Sequence, residues 1–150
     1  MEKERDKADG KEQKERAEEV PLATGRQRCD TMNTVLVVDD SALMRDMIKV
    51  ILSSGGYEIV GEASDGQEAY DKYKILKPDI TMMDIMMDRV DGIQSLEMIR
   101  EYDPNAAVVI CSAMDQENYV MKALRLGAKE FIIKPFSRDD VLGAVLRALQ

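Results

Sequence analysis

The sequence predicts a doubly wound α/β domain, in which a five-stranded parallel sheet carries five helices on its two faces. Short, continuous apolar runs such as residues 34–38 and 107–111 are typical of strands buried on both sides. Between such runs lie segments whose apolar residues recur at helical spacing. Regular alternation of the two patterns is what parallel strands joined by crossover helices produce.

The elements follow one another in strict alternation of strand and helix. The second strand is more polar than the others, which favours a position at the edge of the sheet, and Gly127 is expected just beyond the end of the fourth helix. In the first helix the apolar residues at helical spacing are Leu43, Met44, Met47, Ile48, Ile51 and Leu52. Strands are predicted at 34–38, 57–61, 79–83, 107–111 and 130–133, and helices at 41–52, 65–76, 92–102, 116–126 and 137–149.

Two parts of the chain differ in composition. Residues 1–31 are mostly charged and lack an apolar stripe, so we expect a disordered N-terminal extension. Residues 32–150 are long enough for one folded domain that needs neither a disulfide nor a structural metal. The cysteines, Cys29 and Cys111, lie far apart without metal-ligand spacing, which argues against a zinc site.

Charge and composition exclude several classes of function. The net charge of −8, with no basic stripe, argues against direct nucleic-acid binding. No apolar run approaches the roughly 20 residues of a membrane span, and no secretory signal precedes the domain, so we expect a cytoplasmic protein without membrane insertion. The chain has no histidine, so if a phosphohistidine takes part in its reaction, a partner supplies it.

Polar residues gather at the predicted carboxyl ends of four strands. Asp39 and Asp40 follow the first strand, Asp84 the third, Ser112 the fourth and Lys134 the fifth. Ligands of open parallel sheets bind beyond these strand ends. Each residue alone also fits a helix cap or a turn, but a common sheet edge for all of them predicts one site.

The chemistry of these residue types points to magnesium and phosphate. Carboxylates packed together repel one another unless a cation lies between them, and oxygen ligands with open water positions suit Mg²⁺. An ammonium and a hydroxyl beside the metal can bind phosphoryl oxygens. With neither histidine nor a reactive cysteine at this edge, the nucleophile would be a carboxylate, which forms an aspartyl phosphate when it attacks phosphorus.

From about residue 33 to residue 150 the chain resembles the receiver domain of two-component response regulators, most closely the stand-alone, CheY-like chemotaxis type. The resemblance implies the flavodoxin-like strand order 2-1-3-4-5, an order for which CheY is a standard example. It is carried by the motifs Val-Val-Asp-Asp-Ser at 37–41, Met-Asp-Ile-Met-Met at 83–87 with Asp-Gly at 91–92, Cys-Ser-Ala-Met at 111–114 and Gly-Ala-Lys-Glu-Phe-Ile-Ile-Lys-Pro-Phe at 127–136.

The resemblance implies roles for individual residues. Asp84 would be the phosphoacceptor, and Asp39 and Asp40 would bind Mg²⁺ together with Asp84 and the backbone carbonyl of Met86. Ser112 and Lys134 would contact the phosphoryl group, and the Lys134–Pro135 peptide bond would be cis. Phe131 takes the place of a switch aromatic that moves inward on activation together with Ser112.

Three positions near the predicted site differ from the usual family residue or affect how long a phosphoryl group would last. Asp88 stands where the family usually has proline, which adds a carboxylate near the metal. Met86 and Met114 occupy the two variable positions that flank the phosphoryl group, and a thioether orients an attacking water poorly. We therefore predict slow hydrolysis of the aspartyl phosphate and dependence on a separate phosphatase.

The resemblance also implies partners. We expect a monomer that takes its phosphoryl group from a CheA-like sensor histidine kinase and then binds a motor switch or adaptor protein through its fourth helix, fifth strand and fifth helix. Such a protein catalyses only its own phosphorylation and dephosphorylation. The alternatives are a phosphorelay intermediate, a regulator whose output lies in trans, a magnesium-dependent phosphatase of the haloacid-dehalogenase type, and a flavin-binding module.

Overall fold

The computed structural model describes residues 32–113 and 117–150 and contains one parallel sheet flanked by helices. The predictions for residues 1–31, for Met114 and for the first residue of the fourth helix, Gln116, lie outside the described residues. The strands are β1 (Thr34–Val38), β2 (Glu58–Ala63), β3 (Ile80–Asp84), β4 (Val108–Ala113) and β5 (Glu130–Lys134), and the helices are α1 (Ala42–Ser54), α2 (Gly66–Leu76), α3 (Gly92–Tyr102), α4 (Glu117–Arg125) and α5 (Arg138–Ala148).

The sheet has the order β2-β1-β3-β4-β5, as the resemblance implies, and every pairing is parallel, as the alternation of strands and helices predicts. The order reverses between β1 and β3, because the chain first builds β2 on one side of β1 and then continues on the other side. The carboxyl ends of β1 and β3 therefore lie side by side at the switch in strand order, where ligands of open sheets bind.

The core consists of two apolar clusters, one on each face of the sheet. Alternate residues of β1 serve different clusters: Leu36 and Val38 face the side covered by α2, α3 and α4, whereas Val35 and Val37 face α1 and α5. This double burial explains why β1 is a continuous apolar run rather than an alternating one. Within the described residues, none of the helices is both long and apolar enough to span a membrane.

Most helix ends use local capping groups. The hydroxyls of Ser41 and Ser137 accept hydrogen bonds from the backbone N–H groups of Met44 and Asp140, which caps α1 and α5. Gly127 has a φ of 103° and follows α4, as the sequence predicts. Of the six apolar residues at helical spacing in α1, only Ile48 and Leu52 are fully buried, whereas Leu43 and Met47 are 71% and 46% exposed.

Candidate functional site

Three aspartates meet at the carboxyl edge of the sheet, as the sequence predicts. Asp39 follows β1, Asp40 is the next residue, and Asp84 is the last residue of β3. Each offers a carboxylate oxygen, and these oxygens lie within 4.8 Å of one another. Asp39 and Asp84 are buried, whereas Asp40 is exposed. The cluster thus has two carboxylates fixed in the fold and one that faces solvent.

Lys134 brings a positive charge into this cluster from the far edge of the sheet. It ends β5, and its ammonium lies 3.1 Å from Asp39 Oδ2 and 3.3 Å from Asp84 Oδ1. The Lys134–Pro135 peptide bond is cis, as the resemblance implies. A single ammonium therefore bridges the two buried carboxylates.

Asp39 is held in place by hydrogen bonds to both its backbone and its side chain. The N–H of Asp39 donates to Ala63 O, and Asp39 Oδ1 accepts from the N–H of Ser41 at 2.9 Å. The guanidinium of Arg45 donates to the Asp39 carbonyl at 2.6 Å and to Glu62 Oε1 at 2.9 Å. Sequence analysis missed Arg45. An arginine one turn into the helix after the aspartate pair is the signal that would have indicated it.

The electrostatics of the cluster show an excess of negative charge. Burial raises the pKa of the Asp84 carboxyl to about 6; the Asp39 carboxylate adds to this rise, and Lys134 opposes it. The pKa of the exposed Asp40 is also raised, first by partial desolvation of its carboxyl and then by the Asp39 carboxylate. Burial alone lowers the pKa of the Lys134 ammonium, but Asp84 and Asp39 outweigh it and the pKa is raised. Both aspartate shifts indicate that another cation would stabilise the site.

The residues present suit Mg²⁺. They offer oxygen donors only, and three carboxylates against one ammonium leave a local charge of about −2 for a divalent ion to balance. The exposure of Asp40 leaves one side of the cluster open to water, which Mg²⁺ usually retains among its ligands.

Ser112 lies at the end of β4 with an unused hydroxyl. Its side chain is fully buried, and its Oγ has no hydrogen-bond partner among the described residues. Such an orphaned polar atom is costly unless another group binds it. In the sheet Ser112 pairs with Ile133, and Asp84 pairs with Cys111, so the hydroxyl and the Asp84 carboxylate come from adjacent strands.

The two other residues implied by the resemblance lie near the surface. Phe131, in β5, is 40% exposed, and Met86, in the loop after Asp84, is 51% exposed. Asp88 lies in the same loop, and its carboxylate is one of the charges that raise the pKa of Asp40. Cys111 is buried, which raises the pKa of its thiol to about 12, in keeping with a thiol that is not reactive.

Comparison with known proteins identifies the family. The model of the response regulator receiver domain matches residues 35–146. This chain belongs to that family. It is therefore a signalling protein rather than a metabolic enzyme, and the alternatives of a phosphatase and a flavin-binding module are set aside.

Within the family, the chain is similar to chemotaxis proteins of the CheY type. It is 50% identical over 111 residues to the chemotaxis protein CheY of Thermotoga maritima, an alignment that covers 74% of this chain and 92% of that protein. It is 48% identical to the chemotaxis protein CheY of Bacillus subtilis, covering 77% and 96% of the two chains. The crystal structure of the CheX–CheY–BeF3–Mg²⁺ complex from Borrelia burgdorferi has a TM-score of 0.75 and 41% identity, covering 79% of this chain and 90% of that one.

These findings confirm the fold and the resemblance inferred from the sequence. The chain is a CheY-like receiver domain, and its relatives support a role as a response regulator in two-component signalling of the chemotaxis type. Receiver domains bind Mg²⁺ at an acidic pocket, and the aspartates of this chain form a cluster that is compatible with such binding.

Proposed function

We propose that the protein is a phosphorylation-dependent switch that accepts a phosphoryl group on Asp84 from the phosphohistidine of a partner kinase. The observation that carries the proposal is the bridging position of Lys134, 3.1 Å from Asp39 and 3.3 Å from Asp84. The Lys134 ammonium therefore lies within reach of a phosphoryl oxygen on a phosphoryl group bound to Asp84. The buried hydroxyl of Ser112, on the strand next to β3, has no hydrogen-bond partner within residues 32–113 and 117–150, which supports the same assignment.

In the proposed reaction a carboxylate oxygen of Asp84 attacks phosphorus. The new O–P bond forms as the P–N bond to the donor imidazole breaks, and the electron pair stays on the imidazole nitrogen. Asp84 must be ionised to attack, and a pKa of about 6 leaves it mostly ionised at neutral pH even before a metal binds. The product is an aspartyl phosphate, a mixed anhydride that water can hydrolyse.

The other residues bind and orient the group that is transferred. Asp39, Asp40 and Asp84, with the backbone carbonyl of Met86, would hold Mg²⁺, whose charge offsets that of the phosphoryl oxygens. Lys134 would exchange part of its contact with Asp39 and Asp84 for a phosphoryl oxygen. Ser112 would donate its free hydroxyl to another.

Phosphorylation would be converted into a signal on the surface formed by α4, β5 and α5. It adds a charge of about −1.5 to −2 at Asp84, which draws Ser112 and Lys134 towards the phosphate. Movement of Ser112 would open space for Phe131, which is 40% exposed in this structure and would turn inward. The resulting shift in population between two packings would change the affinity for a target such as a motor switch or adaptor protein.

The partners follow from the same site. The chain has no histidine, so the phosphohistidine belongs to a separate kinase, and a CheA-like kinase fits the chemotaxis relatives. Met86 cannot orient water well, which favours a long-lived phosphate and a separate phosphatase. The Borrelia burgdorferi relative was crystallised in a complex with CheX, which supports the existence of a further regulatory partner.

The test is incubation of the full chain with acetyl phosphate and Mg²⁺, followed by intact-mass measurement. We expect one phosphoryl group per chain, none in the absence of Mg²⁺, and none on Asp84→Asn. Asp88→Asn is the matched control, because it removes a nearby exposed carboxylate but leaves the proposed acceptor. After removal of the donor, the adduct should decay slowly. Wild-type protein that gains no phosphoryl group and binds no Mg²⁺ would contradict the proposal.

A further inference from the structure

The loop between β3 and α3, residues 85–91, is tied to the start of α2. The N–H of Gly66 donates to Val90 O at 2.8 Å, and the hydroxyl of Ser95 donates to Gly66 O at 2.8 Å. Both backbone polar groups of Gly66 thus bind this loop and α3. A Cβ on Gly66 would lie 2.5 Å from Val90 O, so the close approach requires glycine.

An ion pair adds a second tie at the tip of the same loop. The guanidinium of Arg89 donates to Asp65 Oδ2, while the other carboxylate oxygen of Asp65 accepts from the N–H of Glu68 at 2.9 Å and caps α2. Arg89 has a φ of 63°, a left-handed conformation that residues with side chains adopt at a cost. The ion pair therefore holds the loop in a conformation that its backbone alone disfavours.

The base of the loop packs against the backbone of Asp84, one of the three aspartates of the acidic cluster. The N–H of Gly92 donates to Ile85 O at 2.8 Å, and a Cβ on Gly92 would lie 2.1 Å from the carbonyl oxygen of Asp84. The loop is thus closed at its base beside Asp84 and held at its tip by Arg89. Between these points it carries Met86, whose carbonyl is the remaining proposed metal ligand.

We propose that Arg89 is a positioning residue whose ion pair with Asp65 holds the β3–α3 loop in its metal-binding conformation and so sets the Mg²⁺ affinity of the site. This inference rests on the proposed function, since it concerns the same metal site. Arg89 acts through the loop and takes no part in the chemical step.

Electrostatics and positioning predict opposite effects of removing Arg89. If Arg89 acted only through its charge, Arg89→Gly would remove a cation from an acidic region and tighten Mg²⁺ binding. If Arg89 positions the loop, the same substitution frees the loop and weakens binding. Glycine adopts positive and negative φ about equally, so the substitution removes the ion pair, adds no backbone strain and leaves the loop free to take other conformations.

The experiment is calorimetric titration of the full chain with MgCl₂. We expect Arg89→Gly to weaken the affinity about tenfold, at the lower end of the range typical for residues that orient metal ligands. Asp65→Ser should have a similar effect, because serine can still cap α2 but cannot pair with Arg89. Arg89→Lys should restore most of the affinity. Arg125→Ala, which removes an equal charge from the exposed face of α4, should leave it unchanged.

A second measurement uses the metal-free protein. Amide hydrogen exchange in the β3–α3 loop should be faster in Arg89→Gly and Asp65→Ser than in wild type, and unchanged in Arg125→Ala. The double variant Arg89→Gly/Asp65→Ser should resemble either single variant, because both remove the same ion pair.

The outcomes separate this inference from the proposed function. Unchanged or tighter Mg²⁺ binding by Arg89→Gly, in a wild-type background that binds Mg²⁺ and is phosphorylated, overturns the role of Arg89 alone. A loss of thermal stability without a change in Mg²⁺ affinity would show a merely structural ion pair and would also overturn it. A wild-type chain that neither binds Mg²⁺ nor accepts phosphate refutes the proposed function itself.

Discussion

Two groups of charged residues, one at the carboxyl ends of β1, β3 and β5 and one between α1 and β2, behave in opposite ways. The site cluster of Asp39, Asp40, Asp84 and Lys134 has three carboxylates and one ammonium. The Glu62 network of Arg45, Asp46, Lys49 and Glu62 has two carboxylates and two cations.

The imbalance of charge decides the direction of each pKa shift. In the Glu62 network, the hydrogen bonds from Lys49 and Arg45 lower the pKa of the Glu62 carboxyl. In the site cluster, burial and the Asp39 carboxylate raise the pKa of Asp84 to about 6. Ionised Glu62 therefore stabilises the fold, whereas ionised Asp84 destabilises it. A cluster that costs stability is a stronger indication of function than one that contributes it.

The largest effect is expected from removing the cation of the site cluster. Lys134→Met leaves buried carboxylates without their shared partner, so the free energy of unfolding should fall by about 2–3 kcal/mol in EDTA. Urea unfolding followed by circular dichroism at pH 7.5 measures this change. The matched control is Lys129→Met on the exposed surface; an equal loss in both variants would show that Lys134 has no special role.

The opposite sign is expected from removing the carboxylate of Asp84. Asp84→Asn should raise the free energy of unfolding in EDTA at pH 7.5, the direction that the upward pKa shift implies, by about 1–2 kcal/mol, which is less than the roughly 3 kcal/mol that the full shift corresponds to. The folded-state pKa of about 6 lies above the ordinary value of 3.8, so the cost of ionised Asp84 is fully present above pH 6 and disappears as the pH falls towards 4. Urea unfolding across this pH range checks the sign. A variant less stable than wild type at pH 7.5 contradicts it.

The smallest effect is expected in the Glu62 network. Glu62→Gln should lower the free energy of unfolding by less than about 1 kcal/mol, because the carboxylate is 38% exposed and solvent screens its ion pairs. The pKa of Glu62 is lowered below 4.5, so its contribution is present above that pH and is lost as the pH falls through the folded-state value. Both substitutions therefore lose their effect on acidification. At higher pH, however, Glu62→Gln lowers the free energy of unfolding, whereas Asp84→Asn raises it. A difference between variant and wild type that grows with acidification would refute this account.

The sequence predicted the sheet and the meeting of Asp39, Asp40 and Asp84 at its carboxyl edge, because both depend on local patterns. The apolar runs that mark β1 and β4 are continuous, and the polar residues that end them stand next to the strands in the chain. The predicted ends of β3 and β4 were one or two residues short, because Asp84 and Ser112 still pair in the sheet although they are polar.

Other features depend on contacts that no local pattern encodes. Leu43 and Met47 have helical spacing but are exposed, because six apolar residues cover a wider arc of α1 than the sheet and α5 can bury. Arg45 and Arg89 reach partners 17 and 24 residues away, and their roles depend on which loops the fold brings together.

The hydrogen bond between Lys134 and Asp39 joins residues 95 positions apart. On the ribosome, Asp39, Asp40 and Asp84 emerge before β5, so a nascent chain carries the three carboxylates before the ammonium that bridges two of them. A chain truncated before Lys134 would hold these carboxylates without their shared cation. The site cluster is therefore complete only after β5 has been synthesised.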